Sequence, residues 1–230
     1  MISNEDNMEL MARYEDNHFD LAIVDPPYKE EVKGLKAGFN RGQFNYEALS
    51  TPPNKEYLNE LFRVSKNQIL WGFNYYLELL PNTDNVICWF KHQNGHFSEC
   101  EYAWSSIKKS RLFDRSYQKD LYNKIHPTQK PVALYEWLLM NYATCKTCKN
   151  QGGYYEDVAG DGGSQMWQVC DDCDTHERPV RILDTHLGSG SIAIACHNLG
   201  YELTACELDT EYYNAAIKRI NEHKQQARLF

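Results

Sequence analysis

No stretch of this 230-residue chain is apolar for long enough to cross a bilayer, and no charged-then-apolar leader opens it. Membrane embedding and signal-directed export are therefore not expected, and a cytoplasmic location is. Basic surface is also scarce. The formal charge of -8 argues against a protein coated in cations for nucleic acid. Residues 108–130 are the exception, with Lys108, Lys109, Arg111, Arg115, Lys119, Lys124 and Lys130 against only Asp114 and Asp120. That run reads either as a phosphate-facing stripe or as a solvated loop. The length and the 42% hydrophobic content suit one α/β domain plus a small module, and fall short of two full domains. Of the eight cysteines, Cys88, Cys100, Cys196 and Cys206 lie in apolar or helical contexts, and the other four form two Cys-x-x-Cys units. Reduced thiols and a metal fit that distribution better than disulfides.

The stretch most charged with chemistry is Asp25-Pro26-Pro27-Tyr28, at the exit of the apolar run Leu21-Ala22-Ile23-Val24. Two prolines give the sheet no backbone donor and fix their own φ, so the strand stops there with carbonyls left free. A carboxylate, a free carbonyl and an aromatic ring then converge. Asp25 and the Pro26 carbonyl could accept the two N–H hydrogens of an exocyclic amino group on a planar base, with Tyr28 stacked on its ring. A plain strand followed by a Pro-Pro turn is the competing reading.

Around that stretch the periodicity alternates. Residues 7–14 form a weak helix preceded by Asp6, and residues 19–24 a strand; residues 29–53, rich in Gly, Asn and Lys, read as a mobile loop whose Lys33 and Arg41 could reach phosphates. A helix over 54–64, a strand over 68–71 ending at Gly72, a helix over 74–80 stopped by Pro81, a strand over 85–90 and an extended segment over 101–107 follow. Strand, helix, strand, helix, strand predicts a doubly wound sheet with ligands beyond the carboxyl ends of its strands. Asp25 lies at such an end, and the aromatic run from Trp71 to Tyr76 could line a base pocket or simply pack the core. His126-Pro127-Thr128-Gln129-Lys130-Pro131 introduces a helix whose first-turn amides could hold a carboxylate.

A strand over 180–183 runs into Asp184-Thr185-His186-Leu187-Gly188-Ser189-Gly190-Ser191 and a helix over 192–199. The next strand ends in Glu207, placed to accept from both hydroxyls of a ribose. The third glycine of the dinucleotide fingerprint is missing, which favours a nucleoside such as S-adenosylmethionine over NAD. A last helix spans 210–223.

Taken together, Asp25-Pro26-Pro27-Tyr28, residues 126–131, Asp184 to Ser191 and Glu207-Leu208-Asp209 resemble the amino-methyltransferases of DNA, in the permuted beta-class order with the catalytic motif ahead of the donor motif. The resemblance implies a Rossmann-like methyltransferase sheet over residues 1–143 and 180–230, S-adenosylmethionine as donor, DNA as partner and flipping of the target base. By the same resemblance Asp25, Pro26, Pro27 and Tyr28 are the catalytic stretch. Asp184, Gly188, Ser189 and Gly190 frame the donor's methionine portion, Glu207 its ribose, Asp6 its adenine, and His126, Thr128 and Lys130 its carboxylate end. Asp at the first catalytic position implies adenine N6 ahead of cytosine N4. Thr185-His186-Leu187 departs from the family's usual turn, and the target-recognition region is short. An RNA or protein amino-methyltransferase and a catalytically silent binding module are the other classes, and whether the chain forms a homodimer is open.

Residues 144–179 are foreign to that family. Cys145-x-x-Cys148 and Cys170-x-x-Cys173, separated by a loop slightly longer than the usual zinc-ribbon range, predict a four-thiolate zinc site that folds the insertion. Its acidic residues oppose phosphate binding and favour a structural or protein-contact module.

Overall fold

The computed structural model describes residues 1–27, 52–92, 98–116, 124–126, 128–145, 147–148, 151, 153–157, 165–171 and 178–226. Tyr28, residues 29–51 of the expected loop with Lys33 and Arg41, Lys119, Asp120, Pro127 and Cys173 lie outside the described residues.

The described residues build an eight-stranded sheet flanked by helices. Its strands are β1 (Ile2–Asn4), β2 (Leu21–Val24), β3 (Gln68–Trp71), β4 (Val86–Phe90), β5 (Cys100–Ser105), β6 (Arg111–Asp114), β9 (Arg181–Asp184) and β10 (Glu202–Glu207). A separate two-stranded ribbon pairs β7 (Gly153–Asp157) with β8 (Gln165–Val169). The order across the large sheet is β1-β10-β9-β2-β3-β5-β4-β6. Only β5 runs against the others.

β2 is central, and all four of its side chains are buried. Leu21 and Ile23 pack toward α3 (Val132–Leu138) and α4 (Ser191–Leu199), while Ala22 and Val24 pack toward α1 (Asn7–Met11) and α2 (Lys55–Val64). A strand covered on both faces has no solvent side, which is why its sequence is a continuous apolar run. α2 buries Tyr57, Leu58, Leu61 and Val64, a stripe at helical spacing, and the Asn54 side chain accepts from the Tyr57 amide at 2.8 Å to cap it. α5 (Thr210–Gln225) is capped in the same way by Asp209 and buries Tyr212, Ala216 and Ile220.

Three expectations need correction. Residues 74–80 are not an α-helix but two short 3-10 turns, Phe73–Tyr75 and Leu77–Leu79. Tyr76 between them is buried, and its hydroxyl donates to the Trp71 carbonyl at 2.6 Å. So short a segment ahead of Pro81 gains more from burying that ring than from one turn of helix. The simple strand–helix alternation fails as a result, since β5 folds back and inserts between β3 and β4. The basic run is partly strand too, because Arg111–Asp114 forms the edge beside β4.

Glycine is required at the start of α4. Gly190 has φ +72°, and a Cβ there would sit 2.9 Å from Ile220 Cδ1. Gly200, at the helix end, has φ +75° with nothing within 4 Å. Gly190→Ala should therefore cost about 2–4 kcal/mol, combining left-handed strain with overpacking, against about 1–2 kcal/mol for strain alone in Gly200→Ala. Urea unfolding of both variants measures the difference, and equal losses would mean that α5 yields to the added methyl.

Candidate active site

The carboxyl ends of β1, β10, β9 and β2 lie side by side, because these four strands are parallel neighbours. Asp6 follows the first, Glu207 ends the second, the glycine turn follows the third and Asp25 follows the fourth. His126 and Lys130 reach the last two. The His126 ring lies 3.9 Å from where a Cβ on Gly188 would be, and the Lys130 ammonium donates to Asp25 Oδ2 at 2.5 Å.

Asp25 is mostly buried, and its Oδ1 has no hydrogen-bond partner among the described residues. Burial raises its pKa, and Lys130 offsets this only in part. Pro26 beside it is buried. Lys130, expected at the donor's carboxylate end, is 1% exposed; its Nζ is shared between Asp25 and Glu101, 3.2 Å away, above the Trp71 ring. Glu101 in turn accepts from Lys91 at 3.0 Å. Glu101 and Lys91 are not legible in the sequence, since neither belongs to a motif: Glu101 arrives on the reversed β5, and Lys91 directly follows β4, the strand paired with it.

In the glycine turn, Gly188 has φ +52° and its amide donates to Glu207 Oε2 at 2.8 Å. Glu207 Oε1 accepts from the Asp209 amide at 3.1 Å. A carboxylate has about four lone-pair directions, so Glu207 is held in place with capacity left for hydroxyl donors. Ser189 is buried; its hydroxyl pairs with that of Ser191 and its carbonyl accepts from Arg219 at 2.7 Å. Asp6 caps α1, accepting from the Met8 amide at 2.8 Å, and the neighbouring Asn7 side chain meets His186 Nε2 at 3.3 Å.

At the departure Thr185-His186-Leu187, the first two side chains form a network of their own. The Thr185 hydroxyl pairs with Tyr57 at 2.6 Å and with His186 Nδ1 at 3.0 Å. Burial brings the His186 pKa down to about 4. His126 is likewise lowered to about 4 by burial, with the Lys130 charge adding to it; its ring packs on Tyr212, and exposed Thr128 contacts its Nδ1 through hydroxyl and amide. Both imidazoles are thus neutral near pH 7.

A second cluster lies at the base of the ribbon. The Sγ atoms of Cys145, Cys148 and Cys170 are all within 4.8 Å of one another, and Cys145 and Cys170 are 3.8 Å apart. Four sulfurs around a tetrahedral zinc at about 2.3 Å are spaced by about 3.8 Å, whereas a disulfide needs about 2 Å. The three thiols therefore have metal-ligand spacing.

Asp184, at the end of β9, generates a pH prediction. Burial lifts its carboxyl from 3.8 to about 8, with Asp25 and Glu207 adding to the rise and the His186 amide opposing it. A proton held more tightly by the folded protein contributes stability that is complete below pH 3.8 and is lost as pH rises through about 8. Asp184→Asn removes this dependence, so urea unfolding should show the variant gaining on the parent between those limits. A gap constant across the window would mean that Asp184 is ionised throughout.

No family model matches the chain, and no curated protein matches it. Solved structures do. The M1.HpyAVI–SAM complex aligns with a TM-score of 0.53 at 18% identity, over 95% of this chain and 98% of that one. TTHA0409, a putative DNA modification methylase from Thermus thermophilus complexed with S-adenosyl-L-methionine, aligns with a TM-score of 0.54 at 16% identity, over 98% and 96%. PvuII DNA methyltransferase, cytosine-N4-specific, gives 0.54 at 11% identity, over 96% and 90%. At these identities the likeness concerns the fold alone, and the chain shares the Rossmann-like fold of these structures.

Proposed function

We propose that this protein transfers a methyl group from S-adenosylmethionine to the exocyclic amino group of a flipped DNA base, adenine N6 first and cytosine N4 second. The observation that carries the reading is Asp25 Oδ1, buried and without a partner among the described residues, on the same sheet edge as the glycine turn and linked to it through His126 and Lys130. Two of the aligned structures hold S-adenosylmethionine, which supports the donor. The Asp of Asp25-Pro26-Pro27-Tyr28 favours adenine, and the PvuII alignment keeps cytosine N4 in view.

The residues fit the donor. Gly188 lets a ligand approach the backbone, since an added Cβ would stand between His126 and the turn. Glu207 would take the ribose hydroxyls, Asp6 would face the adenine, and Asp184, Gly188, Ser189 and Gly190 would frame the methionine portion beside His126 and Thr128. When bound, S-adenosylmethionine supplies a sulfonium methyl whose C–S electron pair returns to sulfur as the base nitrogen forms its N–C bond.

The chain's own task concerns that nitrogen. Its lone pair is delocalised into the ring, so acceptors must favour the pyramidal, charge-developing form. Asp25 Oδ1 and the Pro26 carbonyl would be those acceptors, with Tyr28 given the stacking role by its place in the motif; the extra N–H proton then leaves to water. Acceptors fixed before the reaction stabilise the transition state more than the ground state, so they act on turnover rather than on donor binding.

Cys145, Cys148, Cys170 and Cys173 would hold one structural zinc that orders the insertion. On its ribbon, Tyr155 is 66% and Trp167 44% exposed, with ring centroids 5.0 Å apart. An exposed aromatic pair among acidic residues suits a protein contact better than a phosphate backbone.

Two measurements test these assignments. With tritiated donor, the protein should label duplex DNA and leave RNA and protein unlabelled, and Asp25→Ala should lower turnover by about 10²–10³-fold with donor affinity retained. Full activity in the variant would remove Asp25 from its role. Metal analysis of the purified protein should find one zinc per chain, lost in Cys170→Ser; protein free of zinc would refute the metal site.

A further inference from the structure

The four groups Asp25, Lys130, Glu101 and Lys91 form a line of alternating charge at the sheet edge. Lys130 Nζ is 2.5 Å from Asp25 Oδ2 and 3.2 Å from Glu101 Oε2, and Lys91 Nζ is 3.0 Å from Glu101 Oε1. The two ammoniums are almost fully buried, each above an indole ring, Trp71 at 5.2 Å and Trp89 at 5.9 Å. Buried ions of this kind are costly unless paired, so the line is a built feature.

The geometry divides the Asp25 carboxylate in two. Oδ2 is held by Lys130, while Oδ1 is buried with no partner among the described residues. We propose that Lys130 and Glu101 are positioning residues for methyl transfer, Lys130 fixing Oδ2 so that Oδ1 faces the incoming amino group, and Glu101 drawing Lys130 back so that Asp25 is not wholly neutralised. The inference rests on the methyltransferase reading for its consequence in catalysis, but the ion line itself is present in the free protein.

The opposing charges make the idea separable from a merely structural role. Asp25 is faced by Lys130 ahead of α3, by Glu101 on β5, by Asp184 on β9 and by the Tyr135 hydroxyl on α3; Lys91 acts through Glu101. Burial raises the Asp25 pKa, Lys130 lowers it and Glu101 raises it again. Glu101 itself is held below its usual range, because the Lys130 and Lys91 charges outweigh its burial. Losing a cation therefore shifts the Asp25 titration up in pH, and losing the second carboxylate shifts it down.

The test uses the whole chain and the variants Lys130→Met, Lys130→Arg and Glu101→Gln. Asp25 is titrated in the ligand-free protein by 13C NMR of labelled aspartate carboxyls, its signal assigned with Asp25→Asn. The acid limb of kcat is measured separately with duplex DNA and saturating donor. Lys130→Met should move both titrations up by at least about one pH unit and lower kcat, Lys130→Arg should restore most of the position, and Glu101→Gln should move both down. Donor affinity in Glu101→Gln should change less than about twofold. Movement of both variants in one direction, or none, overturns the proposal, and if Lys130→Met does not fold, Glu101→Gln decides alone. If the parent transfers no methyl to DNA, the proposed function fails while the carboxyl titration still decides whether the line controls Asp25.

Discussion

The pairing of β2 with β9 is the constraint on which the site depends. Ala22 lies opposite Leu183 in a parallel register, so the two strands deliver Asp25 and the glycine turn to the same edge of the sheet. Parallel neighbours release their following loops on one side, so the shared edge is a consequence of topology before any side chain is chosen. The continuous burial of β2 keeps that register, since a one-residue slip would exchange the faces that meet α3 and α4 for those that meet α1 and α2.

Charge is arranged around this edge so that burial and pairing oppose each other. Asp25 and Asp184 are both pushed toward the neutral form by burial, and the Asp25 charge raises Asp184 further. Lys130 is the cation that relieves them, and it is held between Asp25 and Glu101 rather than left to solvent. The two histidines nearest the turn are neutral near pH 7 and add no competing positive charge. An edge of this kind suits chemistry in which positive charge develops on a bound nitrogen.

Much of the architecture is legible from local patterns. The apolar run before Asp25, the stripe at Tyr57, Leu58, Leu61 and Val64, and the glycine turn before α4 are each visible because one period or one turn governs them. β1 is not legible, since three residues carry no period and Ile2–Asn4 is a strand only because β10 offers it an edge. The turns around Tyr76 imitate a helix for a similar reason: the spacing is helical, and a hydrogen bond to Trp71 with the burial of one ring decides otherwise. The ribbon strands Gly153–Asp157 and Gln165–Val169 are hidden between the cysteines, whose spacing shows the cluster but not the hairpin.

By itself the sequence determined the elements that bear motifs: where a strand must stop at Pro26, where a left-handed turn needs Gly190, and which residue types could accept an amino hydrogen or a ribose hydroxyl. Tertiary structure alone decided the partners. Lys130 could be assigned to a donor from its motif, but its ammonium meets Asp25 after β2 and also Glu101, which β5 delivers by turning back beside β3, a non-local pairing that no local period encodes. Short-range sterics and burial patterns are written in neighbouring residues, whereas electrostatic partnership depends on which distant strands the sheet brings together.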